Sequence, residues 1–287
     1  MTPMSDQLQD LDFPQGLATV SPIDQRRNST MCGRIPLEEL YQAAFLEGEG
    51  MGTAYEYFVK WRSLQRLFKF EIREILVLGL PEKYGASMDF VLLADHQGCG
   101  VTIVDDRSES INKCKTVLRE LKERDLISKT PRVIQVNDLP GSQQNLNHFD
   151  LVLSCEVLQR LPASAKREYV RTSLSVAKYA AVFVPNQANT AHARISKLQA
   201  MQLSELRNLF NDYMIVEEGY VDMPPFPPGL KRNTRGRARG RHQALRDKII
   251  IQLLNGWSTV EREASTCFRE PNSHIVFVMA RAPSNEN

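Results

Sequence analysis

From residue 74 onward the chain alternates short, nearly continuous apolar runs with longer segments whose apolar positions recur at helical spacing. The runs are EILVLGL (74–80), GVTIVDD (100–106), RVIQVND (132–138), FDLVLSC (149–155) and YAAVFVPN (179–186). Between them, residues 87–97, 108–128 and 163–178 read as helices. Strands that are apolar on both faces and separated by helices predict a parallel sheet covered on both sides. A further helix over about 191–211 leads to YMIVEEGYVDM (213–223), and SHIVFVMARA (273–282) supplies the last strand. Ahead of the sheet, helical spacing appears over 37–45 and again over 53–68. The second of these, TAYEYFVKWRSLQRLFKF, is aromatic and basic. It packs on the sheet in one reading and walls a substrate pocket in the other.

This pattern divides the chain into three parts. Residues 1–33, with Pro3, Pro14 and Pro22 and no sustained period, read as a flexible arm. Residues 34–70 form an N-terminal helical segment, and residues 71–287 an α/β domain with a proline- and arginine-rich insertion at 224–270. The 287 residues suffice for a sizeable core, and 42% apolar with 24% charged residues is ordinary globular composition. A net charge of +2 provides no global field toward nucleic acid or membrane. Five scattered cysteines without C-x-x-C spacing argue against a disulfide frame or a zinc site, so no metal is expected. No run reaches the roughly 20 apolar residues that span a bilayer, and no secretory stretch opens the sequence. The expected location is the cytoplasm.

In an open parallel sheet, ligands bind outside the carboxyl ends of the strands. The residues there form a series. Gly79, Leu80, Pro81 and Gly85 follow the first strand; Asp105 and Asp106 the second; Asn137 and Asp138 the third; Cys155 and Glu156 the fourth; Pro185 and Asn186 the fifth. Gly79 permits close backbone approach to a ligand. Asp105, 26 residues later, stands where an acid accepts ribose hydroxyls, and Asn137 or Asp138 where an adenine amino group is read. An aspartate at a strand end also serves as a turn or helix cap. The first loop lacks the G-x-G-x-x-G spacing that wraps a pyrophosphate, and Pro81 removes an amide donor. A cofactor without pyrophosphate, such as S-adenosylmethionine, asks less of it.

The order of VLGLPEKYG, VTIVDDRSES, VIQVNDLPG, FDLVLSCEVLQRLP and AAVFVPN resembles a class I S-adenosylmethionine-dependent methyltransferase of the type 11 group, over about residues 52 to 222 plus the last strand. The resemblance implies a Rossmann-like, doubly wound, mostly parallel seven-stranded α/β sheet with an antiparallel last strand. It implies S-adenosyl-L-methionine as cofactor, Gly79 in its loop, Asp105 at the ribose, Asp138 at the adenine, and Cys155 and Glu156 beside the methionine end. Leu78 stands where the family has an acid, Leu80-Pro81 fills the place of a second glycine, and Arg160 replaces a common histidine. Methyl transfer depends mostly on positioning, with a general base where the acceptor carries a proton. His192 is the candidate base, with a surface or capping histidine as its plain alternative. Glu156 and Tyr84 are candidates to face the sulfonium.

The expected activity is methyl transfer to a small-molecule or lipid-like acceptor. GLKRNTRGRARGRHQALRDK (229–248) carries eight Lys or Arg against one Asp. It reads as a solvated loop, as an RNA contact through 231–248, or as a seat for an anionic substrate or membrane surface. Two alternatives therefore stand beside the leading reading: an RNA methyltransferase, and a methyltransferase-like binding protein without turnover.

Overall fold

The computed structural model describes residues 36–82, 85–139, 148–225 and 241–283. The N-terminal arm, Tyr84 and residues 226–240 of the insertion, and with them most of the suggested RNA contact, lie outside the described residues. Two helices, α1 (Leu37–Leu46) and α2 (Met51–Leu64), precede the sheet. They are followed by β1 (Glu74–Leu78), α3 (Met88–Gln97), β2 (Gly100–Asp105), α4 (Ser108–Glu123), β3 (Arg132–Gln135), β4 (Phe149–Cys155), α5 (Ala163–Val176) and β5 (Ala177–Pro185). Then come α6 (Thr190–Ser196), α7 (Leu203–Asn208), β6 (Met214–Val221), α8 (Arg241–Glu263), α9 (Thr266–Asn272) and β7 (Ile275–Arg281).

The strands form one seven-stranded sheet in the order β3-β2-β1-β4-β5-β7-β6. The first five are mutually parallel, and β7 runs antiparallel to both β5 and β6. Period-two alternation divides the core. Ile75 and Val77 face one apolar layer with α1 to α4, while Leu76 and Leu78 face the other with α5 and α7. The helices follow from the same logic. On α4, Ile111, Cys114, Val117, Leu118 and Leu121 are buried at helical spacing while the lysines and glutamates between them face water.

Three elements differ from the sequence expectation, each for a local reason. The helix expected over 191–211 is two helices, because Lys197 adopts φ +56° and Met201 bridges to Asn186 at the end of β5. The third strand stops at Gln135 because its only partner, β2, ends at Asp105; Val136 makes the last bond, to the Asp105 carbonyl at 3.0 Å. The helix expected over 53–68 begins at Met51 and ends at Leu64, followed by a short 3-10 turn at Leu67–Lys69.

One buried side chain ties the lower helical layer to the edge where ligands bind in such sheets. The Tyr169 hydroxyl on α5 donates to the Leu78 carbonyl at 2.6 Å and shares a second bond with Ser154 Oγ at 2.8 Å. It thereby joins the last residue of β1 to β4. Tyr169→Phe removes the hydroxyl's bonds to the Leu78 carbonyl and Ser154 from the core. Urea denaturation should show a loss of about 1–3 kcal/mol with an unchanged slope.

Candidate functional site

The carboxyl ends of β1, β2 and β4 are cross-linked by a single carboxylate. Asp105 is fully buried and accepts the Leu80 amide at 2.6 Å and the Arg107 amide at 2.8 Å. The Arg107 guanidinium clasps both its oxygens at 3.0 Å and also donates to the Leu80 carbonyl at 2.6 Å. Arg160, from the turn after β4, reaches Asp105 at 3.4 Å and Asp106 at 3.1 Å. Burial by itself would raise the Asp105 pKa, but the bonds from Arg107 and Leu80 outweigh it and hold the carboxyl below its ordinary range. The residue expected to meet ribose hydroxyls is thus already saturated by its own chain.

The first loop is filled in the same way. Gly79 has φ +78°, and a Cβ there would lie 2.6 Å from Val157 Cγ2 and 3.2 Å from Leu139 Cδ1. Gly85 has φ +69°, and a Cβ there would meet the Tyr57 hydroxyl at 2.5 Å and Glu47 Oε2 at 2.7 Å. Glu47 is buried, accepts from Tyr57 at 2.9 Å and from the Ala86 amide, and burial lifts its pKa to about 8. Both glycines are required here by protein side chains packed against them. Leu80 and Pro81 are buried beside them.

A second group of charges lies over the end of β4. Lys60 of α2 is 1% exposed; its ammonium pairs with Glu56 at 2.8 Å and Asp89 at 3.2 Å and lies 3.3 Å from Cys155 Sγ. Tyr57 and Phe90 place their rings 4.9 and 5.1 Å from it. Those carboxylates keep Lys60 charged against its burial, while burial pushes the Cys155 thiol up. Glu156 follows at φ +54°, buried, with Oε2 lacking a hydrogen-bond partner. Burial, then the field of Glu56, raise its pKa to about 8. A left-handed, non-glycine residue carrying an unsatisfied buried carboxylate is a strained position of the kind that clusters at functional sites.

The remaining candidates separate. Asn137 and Asp138 are exposed and line a cleft of about 940 Å3 along β3 together with Lys129 and Arg132. His192 sits at the start of α6, where the Asn189 side chain accepts its amide at 3.0 Å. Its ring stacks on His274 at 4.0 Å, and burial followed by the charge of His274 lowers its pKa to about 3. It is therefore neutral near pH 7. Among the described residues, no three His, Cys, Asp or Glu side chains converge on a metal position. No helix among them is long and apolar enough to cross a membrane.

The strand order, with an antiparallel seventh strand inserted between the fifth and sixth, decides the fold class. The chain has the class I methyltransferase fold. No family model matches the sequence, and no curated protein does. Among solved structures, a protein from work on converting a disulfide bond into a thioacetal group during echinomycin biosynthesis is similar at TM-score 0.50 and 12% identity. That match covers 79% of this chain and 82% of the other. The N-methyltransferase NodS from Bradyrhizobium japonicum, solved with S-adenosyl-L-homocysteine, matches at TM-score 0.49 and 14% identity, over 86% of this chain and 100% of NodS. TehB from Haemophilus influenzae matches at TM-score 0.44 and 11% identity; 77% of this chain is covered, and 62% of TehB. Identities this low establish the fold alone.

Within this methyltransferase fold, strand-end reasoning on the parallel strands missed Lys60, Glu56, Arg107, Asp222 and His274. Two of them carried a strand-boundary signal. Asp222 and His274 flank the antiparallel pair at the same sheet edge, where a strand's beginning counts as much as an end.

The Asp105 clasp has a pH signature. A carboxyl whose folded pKa is depressed contributes stability above its unfolded value, and that contribution is lost as pH falls through the folded one. Asp105→Asn should cost about 3 kcal/mol or more at pH 7, because two guanidiniums lose their buried counter-charge. In urea titrations the gap between wild type and variant should narrow as pH falls below 3.8.

Proposed function

We propose that the protein is an S-adenosylmethionine-dependent methyltransferase, with its cofactor along the sheet edge from Asp105 to Glu156 and a small-molecule or lipid-like acceptor beneath α2. The observation that carries this reading is the unpartnered, buried oxygen of Glu156 beside the Gly79 turn. The two lie side by side because β1 and β4 are paired, with Val77 opposite Leu153. Burial holds the Glu156 carboxyl at a pKa of about 8, and the ammonium and sulfonium at the methionine end of this cofactor would favour its ionised form. Bound there, the cofactor supplies an activated methyl group; the protein supplies position.

The fit differs along the edge. Glu156 offers an open acceptor at the methionine end. At the ribose end the chain must yield, and Arg160 is the contact to yield, since its bond to Asp105 is the longest and Asp106 already holds the same guanidinium. Arg107 then keeps Asp105 ionised while one oxygen turns to the ribose.

A second reading rests on the same clasp. With Asp105 saturated and both loop glycines packed by protein side chains, the chain also suits a methyltransferase-like binding protein without turnover. Titration calorimetry with S-adenosylhomocysteine separates them. The transferase reading expects binding that weakens about tenfold or more in Asp105→Ala, by the loss of charge-assisted bonds, and is not weakened in Arg160→Ala. Equal binding by wild type and Asp105→Ala would defeat the ribose assignment. No heat from either wild type or Arg160→Ala at millimolar ligand would favour the binding protein.

A further inference from the structure

The far end of the same edge holds ionisable groups that the cofactor reading does not use. Asp222 immediately follows β6, has φ +67° and is 3% exposed. Its Oδ2 bonds His274 Nδ1 at 2.8 Å, whereas its Oδ1 is buried without a partner. His274 immediately precedes β7, and its amide donates to the Asp222 carbonyl at 2.7 Å, so the two side chains are held by paired backbone. The bond at Nδ1 leaves Nε2 as the nitrogen that gains and loses a proton. Around this pair stand Glu56 on α2 and Glu261 on α8, the latter accepting from Tyr55 and from the Met223 amide at 3.2 Å.

The cluster is short of positive charge. Asp222 and Glu261 are both raised, by burial first and then by carboxylate neighbours, with His274 opposing at Asp222 and Tyr55 at Glu261. Lys60 is committed to Glu56 and Asp89. Solvent reaches the group at Glu56, 18% exposed, and at His274, 14% exposed. Asp222 Oδ1 is the unpartnered acceptor of this group.

We propose that this cluster is the acceptor site and takes a primary or secondary amine as its ammonium ion, with Asp222 and Glu56 holding the charge and His274 receiving the proton. The proposal rests on the transferase reading and names its acceptor class. Neutral His274 takes one proton from the ammonium at Nε2, and Asp222, whose charge and hydrogen bond raise the His274 pKa against its burial, stabilises the imidazolium that forms. The freed nitrogen lone pair then forms the N–C bond to the methyl carbon as the C–S bond breaks, and that electron pair remains on sulfur. His192, stacked on His274, shields one imidazole face and stays neutral.

The test starts without cofactor. Melting-temperature shifts of the full chain are compared for n-butylamine, n-butanol and n-butyrate at equal ionic strength. The amine alone should stabilise, and its apparent affinity should fall about tenfold or more in Asp222→Asn and Glu56→Gln. Circular dichroism checks that each variant folds, and the partly exposed position of Glu56 keeps one variant informative if the other does not. Equal shifts from the alcohol, or amine binding that persists in both variants, would overturn the site. Transfer of labelled methyl groups to butylamine tests the role. His274→Gln should keep the KM for amine and lower kcat by about a hundredfold. Selective amine binding with no methyl incorporation, in protein that binds S-adenosylhomocysteine, would overturn the acceptor role. Absence of S-adenosylhomocysteine binding would instead remove the transferase reading beneath it.

Discussion

The carboxyl edge of the sheet is organised by Asp105. One buried carboxylate receives the amide after β1, the amide and guanidinium after β2, and a guanidinium from the turn after β4. Taking that charge out of water costs several kcal/mol, and only near-complete coordination offsets it. The consequence is rigidity. The Leu80 amide, the start of α4 and the turn carrying Val157 are fixed relative to one another by hydrogen bonds that share a single acceptor, and Arg107 also donates to the Leu80 carbonyl. Gly79 then has to be glycine, since Val157 is pressed into the space a side chain would occupy.

The opposite half of the edge is built on a different compromise. Helix α2 is short of ordinary amphipathicity because Lys60 points inward among Tyr55, Tyr57, Phe58 and Trp61, all buried. Its ammonium is tolerated only because Glu56 and Asp89 pair with it and two rings face it. Yet more carboxylates than cations surround it, and Glu156 and Asp222 are left with unpartnered oxygens. Both residues also occupy left-handed backbone. A core optimised for stability alone would not keep two strained, unsatisfied acids along one edge of the sheet, so the imbalance points to binding.

Much of this fold could be read from hydrophobic periodicity. Phe149–Cys155 was expected as a strand with those bounds and is one, because a run apolar on both faces can only be buried between helical layers. The break at Lys197 was not readable, since it depends on Met201 pairing with a distant strand end. The strand-end rule singled out Gly79, Asp105 and Glu156, and the structure brings them to one sheet edge. What they touch was hidden. Whether a carboxylate faces a ligand or an arginine depends on rotamers of Arg107 and Arg160, and these leave no periodic trace. Lys60 and Glu56 did leave one: a charged i,i+4 pair inside an aromatic buried stripe.

These two halves together suggest how one edge separates two tasks. At β1 and β2 the negative charge is already matched by arginine, so a ligand there gains only by exchange, and the exchange is local because Asp106 can retain Arg160. At β4 and β6 buried carboxyls with raised pKa values keep an unpartnered oxygen, so a cation there gains by drawing them into the ionised form. A ligand that is neutral at one end and cationic at the other is oriented by that gradient before any shape is read. On the proposed function, the gradient along the sheet, from saturated Asp105 to open Glu156 and Asp222, would set the charged end beneath α2, beside the buried aromatic rings and Lys60.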